Sequence, residues 1–231
     1  MGDVKIIVTE DGSHSLYDID LKETYHSFHG ALNESRHVFI EKGLRHWRNK
    51  EGLPDSMSIF EVGFGTGLNA LLALQFAEDH KIKVNYHTLE PHPLNNEVVE
   101  QLNYANSLAD GAFKKKFLAI HDCAWEQTES ISQHFNIYKS ATTLQEVNGK
   151  LDHHFDVIFF DAFAPNKQAE MWALELIRKT YNLLKEGGVF VTYSAKGQLK
   201  RDLKAVGYTL ETLAGPPGKK EMVRATKNLM N

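Results

Sequence analysis

The stretch Ile59-Phe60-Glu61-Val62-Gly63-Phe64-Gly65-Thr66-Gly67-Leu68-Asn69 joins a short apolar run, Met57–Val62, to a Leu- and Ala-rich run, Leu68–Ala77. An apolar segment of strand length, a glycine-rich turn and a buried helix, in that order, open a βα unit. Three glycines at alternate positions let the chain turn sharply and leave no Cβ between backbone and ligand. The helix behind them aims free N–H groups and the positive end of its dipole at the same spot. The plain alternative is a tight strand-to-helix turn, and the coincidence of strand, acid, three glycines and helix argues against it. A dinucleotide fingerprint would place Gly or Ala three residues after Gly65, where Leu68 stands. A phosphate-binding P-loop would need Gly-Lys-Ser/Thr, which this turn lacks.

Glu61, two residues ahead of Gly63, puts an acid beside the turn. That suits a ligand with a cationic amine. S-adenosylmethionine (AdoMet) carries an ammonium and a sulfonium and no phosphate, so Glu61, Gly63, Gly65 and Gly67 read as an AdoMet loop. Glu90 closes the next expected strand, Val84–Leu89, 23 residues after Gly67. An acid there can accept hydrogen bonds from both hydroxyls of a ribose, in AdoMet or in NAD. The third signal is Phe159-Phe160-Asp161-Ala162-Phe163-Ala164-Pro165. Asp161 ends a continuous apolar run, and the carboxyl end of a covered strand faces the crevice where open α/β sheets bind ligands. Pro165 stiffens the loop behind it. A carboxylate here can accept an amine N–H and turn the nitrogen lone pair toward a methyl donor, which makes Asp161 the candidate catalytic residue. The alternative is a turn or helix-cap aspartate.

Outward from these motifs, strand and helix signals alternate. Val84–Leu89, Phe155–Phe160 and Val189–Tyr193 read as strands, and Leu94–Leu108 and Met171–Leu184 as helices, the latter stopped by Gly187-Gly188. Between Asp110 and Lys150 the spacing predicts a helix over Cys123–His134 and a strand over Phe135–Lys139. Gln198–Val206 predicts a helix, and Tyr208–Leu213 and Glu221–Ala225 two strands with no helix between them, hence an antiparallel hairpin at a sheet edge. Residues 1–54 form a preamble: a hairpin, Val4–Thr9 and Ser15–Ile19 around Glu10-Asp11-Gly12, then a helix over Ala31–Trp47. Residues 55–231 form the main domain. The expected class is α/β, a Rossmann-like and mostly parallel seven-stranded sheet with an antiparallel C-terminal hairpin.

With 231 residues and an apolar fraction of 42%, the chain can bury a full core without disulfides or metal staples. A net charge of −4 excludes a uniformly basic nucleic-acid binder, though not a local basic face. Such a face is offered by residues 196–231, with eight Lys or Arg against three acids. Lys200, Arg201, Lys219, Lys220 and Arg224 are its candidate phosphate contacts, a solvated lysine face being the alternative. The one cysteine, Cys123, cannot form an intramolecular disulfide. His121, Cys123, His153 and His154 lack metal-ligand spacing, so no metal is expected. Residues 1–6 carry no secretory-signal pattern and no apolar run would span a bilayer, so a cytoplasmic protein without membrane contact is expected.

Several runs together resemble one family: Glu61 through Asn69, Asp161-Ala162-Phe163-Ala164-Pro165 with Met171-Trp172, Tyr193-Ser194-Ala195-Lys196-Gly197 with Lys200-Arg201, Gly218-Lys219-Lys220-Glu221-Met222, and Glu34-Ser35-Arg36-His37-Val38-Phe39. They are similar to the methyltransferase half of the bifunctional MnmC tRNA wobble-uridine enzymes, over nearly the whole chain. The resemblance implies a class I AdoMet-dependent methyltransferase that converts 5-aminomethyl(-2-thio)uridine at the wobble position, in the tRNA anticodon loop, to the 5-methylaminomethyl form. It adds Asn69 to the cofactor residues and makes Phe163, Pro165 and Trp172 substrate-side residues. It also implies partner enzymes that make the aminomethyl group, including an FAD-dependent oxidase as a separate chain, since no second glycine-rich unit follows here. At Ser140-Ala141-Thr142 the chain departs from the Gly-Asp that the family often carries at the adenine edge, and Lys219 and Lys220 stand where arginines are usual. Two other functions fit the same residues: a small-molecule amine N-methyltransferase, and a non-catalytic AdoMet-fold subunit.

Overall fold

The computed structural model describes residues 3–108 and 112–228. Strands β1 (Val4–Val8), β2 (His14–Asp18) and β3 (Glu23–Thr24) form a small antiparallel sheet. The remaining strands are β4 (Ser56–Val62), β5 (Lys83–Leu89), β6 (Thr128–Ser132), β7 (Phe135–Ser140), β8 (Phe155–Phe160), β9 (Leu184–Thr192), β10 (Tyr208–Ala214) and β11 (Glu221–Lys227). They build one eight-stranded sheet in the order β10-β11-β9-β8-β4-β5-β7-β6. The five central strands, β9, β8, β4, β5 and β7, run parallel, and β10, β11 and β6 are antiparallel to their neighbours. The expected α/β class with its C-terminal hairpin is therefore the architecture found.

The strand order reverses between β4 and β8, and this places the crevice of the sheet at their carboxyl ends. Those ends are Val62, before the glycine loop, and Phe160, before Asp161. Each face of the sheet carries its own apolar cluster. On one side helix Leu68–His80 is apolar all round and almost wholly buried, because it lies between the sheet and outer helices. The same side receives a continuous helix built from Ala31–Ser35, a π-helical middle Arg36–Arg45, and His46–Lys50. Gly43 lets this helix sit directly on the sheet: a Cβ there would lie 3.1 Å from Val191 Cγ2. On the other side helices Leu174–Leu183 and Gly197–Val206 cover β8 and β9.

Four elements differ from their sequence reading. Cys123–His134 is not a helix: the helix is Ala112–Asp122, and β6 within this stretch is an eighth strand pairing antiparallel with β7. Its sequence, Thr-Glu-Ser-Ile-Ser, is polar because it lies on the sheet edge and buries little. Leu94–Leu108 forms a short helix, Asn96–Gln101, and a separate turn, Tyr104–Ser107, rather than one helix. Gly187-Gly188 does not stop a helix. Helix Leu174–Leu183 passes straight into β9, where Gly187 takes a left-handed φ of 77° and the register against β8 shifts. The helix that starts at Ala31, where Asp11 accepts the Asn33 amide at 2.9 Å, runs past its expected end at Trp47 to Lys50.

Candidate active site

The three glycines turn the chain from β4 into helix Leu68–His80 with φ of 91°, 49° and 71° at Gly63, Gly65 and Gly67. At Gly63 the turn lies hard against the neighbouring strand end, and a Cβ would stand 2.8 Å from the Asp161 carbonyl oxygen. The turn opens onto a cavity of about 650 Å³. Gly63, Gly65 and Asn69 line it from one side, Glu90 and Leu89 from the end of β5, and Asp161 and Phe163 from the end of β8.

Glu90 is tied to the loop rather than left in solvent. Its Oε2 accepts the Gly65 amide at 2.9 Å and its Oε1 the His92 amide at 3.0 Å. This consumes one N–H that a pyrophosphate would need. Asp161 accepts a 2.8 Å hydrogen bond from Asn69 Nδ2. Its side chain is half-buried at the cavity wall. Burial, with the nearby Glu34 charge, pushes its pKa up to about 7, and the Asn69 hydrogen bond and Lys219 pull the other way. A carboxylate tuned to this range can hold or release a proton at neutral pH.

The loop after Asp161 is fixed by side chains from three elements. Tyr193, following β9, donates to the Ala162 carbonyl at 2.9 Å, and Trp172 Nε1 donates to the Phe163 carbonyl at 2.8 Å. Lys167 Nζ donates to the Leu21 and Lys22 carbonyls, at 2.9 and 3.1 Å. The first 54 residues thus reach the site. Tyr25 meets the Phe163 ring edge-on at 5.0 Å, with its own ring beside Gly65.

The residues singled out from sequence fall into three groups. Gly63, Gly65, Asn69, Glu90, Asp161, Phe163 and Lys219 line the cavity. Glu61, Gly67 and Trp172 do not; they support its walls. Glu61 is fully buried and accepts from Thr88 Oγ1 at 2.6 Å, while its Oε1 has no partner. It lies behind the loop, because its position in β4 points it into the sheet's covered face. Gly67 packs on His121, and Trp172 packs on Phe160. Pro165 belongs to the loop without lining the cavity.

The basic candidates are mostly committed elsewhere. Lys219 turns inward to an ion pair with Glu34 and lies 3.8 Å from the Tyr193 ring centroid. Lys200 pairs with Glu221 at 2.8 Å, and Arg224 makes a bidentate pair with Glu211 at 2.8 and 2.9 Å. Arg201 and Lys220 stay exposed. Residues to which sequence reasoning gave no role are Tyr25, Glu34 and the wall Thr142-Thr143-Leu144. Glu34 begins the run Glu34-Ser35-Arg36-His37-Val38-Phe39, but nothing local shows where its side chain goes.

The cavity's charge tests the cofactor. Asp18, Glu23, Glu34, Glu90, Asp161 and Glu170 line it, and Lys219 is the one lysine or arginine among the lining residues. Such a wall repels a pyrophosphate and accommodates a ligand with an ammonium and a sulfonium. These residues fit AdoMet.

Residues 112–228 match the family described as S-adenosyl-L-methionine-dependent methyltransferase. The chain belongs to this family. Among curated proteins, the methyltransferase is 30% identical over 213 residues to the tRNA 5-methylaminomethyl-2-thiouridine biosynthesis bifunctional protein MnmC of Leptospira interrogans, covering 87% of this chain and 32% of that protein. To the protein of the same name from Pseudomonas savastanoi pv. phaseolicola it is 27% identical over 221 residues, covering 90% and 32%. It therefore spans about a third of the length of these relatives. Among solved structures, MNMC2 from Aquifex aeolicus superposes with a TM-score of 0.74 at 22% identity, covering 100% of this chain and 74% of that one. Spermidine synthase from Thermotoga maritima gives 0.58 at 15% identity, covering 99% and 70%. These likenesses establish the fold. No helix among the described residues is long and apolar enough to cross a membrane.

Glu61 carries a stability prediction. Burial raises its pKa to about 8, with the hydrogen bond from Thr88 opposing. The folded methyltransferase then holds a proton that the unfolded chain, with an ordinary glutamate, releases. Stability falls as pH climbs from the unfolded value toward 8. Glu61→Gln keeps an acceptor for Thr88 and removes this loss. Denaturant unfolding should show the variant more stable than the parent at pH 9 and nearly equal at pH 4.5. Equal stability at both pH values would contradict a protonated Glu61.

Proposed function

We propose that the methyltransferase methylates the primary amine of 5-aminomethyluridine, or its 2-thio form, at the wobble position of tRNA. The observation that carries this reading is Asp161, held by Asn69 at the mouth of β8 in an acidic cavity beside the glycine loop. A primary amine needs an acceptor for its N–H, and its ammonium form must first give up a proton so that the nitrogen has a lone pair. A carboxylate with a pKa near neutrality serves both needs. The tRNA part rests on the relatives, named for 5-methylaminomethyl-2-thiouridine biosynthesis.

Gly63, Gly65, Asn69 and Glu90 would hold AdoMet, with the Glu90 carboxylate available to ribose hydroxyls and the wall Thr142–Leu144 standing where the expected Gly-Asp is missing. When bound, AdoMet supplies an electrophilic methyl group on a sulfonium, so the protein need not activate the donor. The chain's own residues orient the amine, exclude water and take the proton. Phe163, with Tyr25 across from it, offers a flat apolar wall for a base splayed from the anticodon loop. The 1–54 segment acts in this reading as an extension that closes the site, while residues 55–231 carry the cofactor fold. The partners are the tRNA anticodon loop and a separate enzyme, such as an FAD-dependent oxidase, that generates the aminomethyl group. The cytoplasm is the compartment where such a tRNA enzyme works.

The test is methyl transfer from labelled AdoMet to tRNA bearing 5-aminomethyluridine, with unmodified tRNA and free 5-aminomethyluridine as controls. Label is expected on the modified tRNA. Equal labelling of the free nucleoside would replace this reading with a small-molecule amine methyltransferase. AdoMet binding with no transfer to any acceptor would leave a non-catalytic subunit.

Phosphate contacts are expected from the exposed Arg201 and Lys220, not from the paired Lys200 and Arg224. Replacing Arg201 and Lys220 together with alanine should reduce the salt slope of tRNA binding by about two ion equivalents and leave AdoMet affinity intact. An unchanged slope would return both residues to an ordinary solvated surface.

A further inference from the structure

Glu34 is a buried carboxylate on the first helix, far in sequence from every motif of the site, yet it lines the same cavity as Asp161. Two groups clamp it: Lys219 on one oxygen, and the Ser27 amide, which donates to the other at 2.6 Å. Lys219 is held in turn over the Tyr193 ring, and Tyr193 bonds the Ala162 carbonyl next to Asp161. The chain thus brings an ion pair, from its first helix and its last turn, to the wall of the acceptor cavity. An ion pair on a solvated surface would contribute little here, but Glu34 is buried and Lys219 only partly exposed, so this one is screened less.

We propose that the Glu34–Lys219 pair is a positioning device of the acceptor site, in which Glu34 acts through Asp161 to keep that group a proton acceptor at neutral pH while Lys219 limits the effect. The inference rests on the amine-methylation reading for its purpose, though not for its test. The physical argument is one of like and unlike charges. An alkylammonium has no lone pair, so the substrate nitrogen must lose a proton before it can attack the methyl group. An isolated aspartate of ordinary pKa would be a poor acceptor for it. A second carboxylate nearby disfavours the charged form of the first and so makes it more basic. Glu34 raises the proton affinity of Asp161, and Lys219 lowers it by a smaller amount. The other groups facing Asp161 are Asn69, which opposes the rise, and Glu61, Tyr86 and Tyr193, whose own acidities Asp161 weakens.

The test reads Asp161 directly, without substrate. In the full chain labelled with 13C at aspartate carboxyls, the Asp161 signal is identified by its loss in Asp161→Asn, and its titration midpoint is followed. Glu34→Gln is expected to lower the midpoint by about one pH unit and Lys219→Met to raise it. Lys219→Arg, which keeps the charge, should stay near the parent value. Opposite signs are the signature, because general loosening of the site would move both variants the same way. Each single variant strands a buried partner, so the double variant Glu34→Gln with Lys219→Met guards against misfolding. Its midpoint should fall below the parent's, since the Glu34 effect is the larger. Shifts of one sign, or none in the single or the double variant, would overturn the proposal while leaving the methyl-transfer assay free to support or reject the function itself.

Discussion

Asp161→Ala is expected to lower turnover on aminomethyl-bearing tRNA by about 10²- to 10⁴-fold, because it removes both the acceptor that orients the amine and the group that takes its proton. AdoMet affinity should change far less, since the glycine loop and Glu90 remain. Asp161→Asn separates charge from shape. Asn69 Nδ2 already donates to one Asp161 oxygen at 2.8 Å. An asparagine side chain has one oxygen, which Asn69 would claim, turning the amide NH₂ toward the incoming amine. Donor would then face donor, so Asn should be nearly as impaired as Ala. The parent's turnover should decline as pH falls through about 7, where Asp161 gains a proton. Single-turnover rates across pH 5.5–9 check all three expectations. A folded Asp161→Asn enzyme working at the parent rate would leave Asp161 a structural loop residue.

Gly63→Val is expected to abolish measurable AdoMet binding. Gly63 has a φ of 91°, a region costly for a β-branched residue. Its Cβ would also stand 2.8 Å from the backbone carbonyl of Asp161, which cannot rotate away. Either the glycine loop or the end of β8 must move, and they form the two sides of the crevice. Calorimetry with AdoMet and its demethylated product should therefore show at least a hundredfold loss of affinity for both. Gly65→Val should weaken binding too, but there the nearest atom is the Tyr25 ring at 3.3 Å, which can yield. Near-parent affinity in Gly63→Val would mean that the loop is not the cofactor cradle.

Glu61 and Lys219 illustrate what a local pattern leaves open. In sequence, Glu61 is an acid ahead of the glycines and looks like a contact for a cationic ligand. In the fold it lies fully buried behind the loop, paired to Thr88. Lys219 and Lys220 are neighbours that read as equivalent phosphate contacts. The turn between β10 and β11 sends Lys219 into the cavity toward Glu34 and leaves Lys220 outside. Charge counting cannot distinguish them, because the difference lies in which way the backbone turns.

The sequence by itself determined the βα order, the glycine loop, and the acids that end β5 and β8. These are local properties: hydrophobic runs of strand length, glycines where φ must be positive, and a polar residue at the end of an apolar strand each act over a few residues. It also contained the C-terminal hairpin, since two strands without a helix between them can only return antiparallel. Tertiary structure alone decided that Tyr25 and Glu34, from the first 54 residues, line the same cavity as Asp161, that Lys219 closes an ion pair 185 residues along the chain, and that the polar stretch Thr128–Ser132 is an edge strand. Each of these depends on where the preamble docks or on which edge of the sheet is free. Contacts at long sequence separation are selected by global packing, so no spacing of residue types along the chain records them.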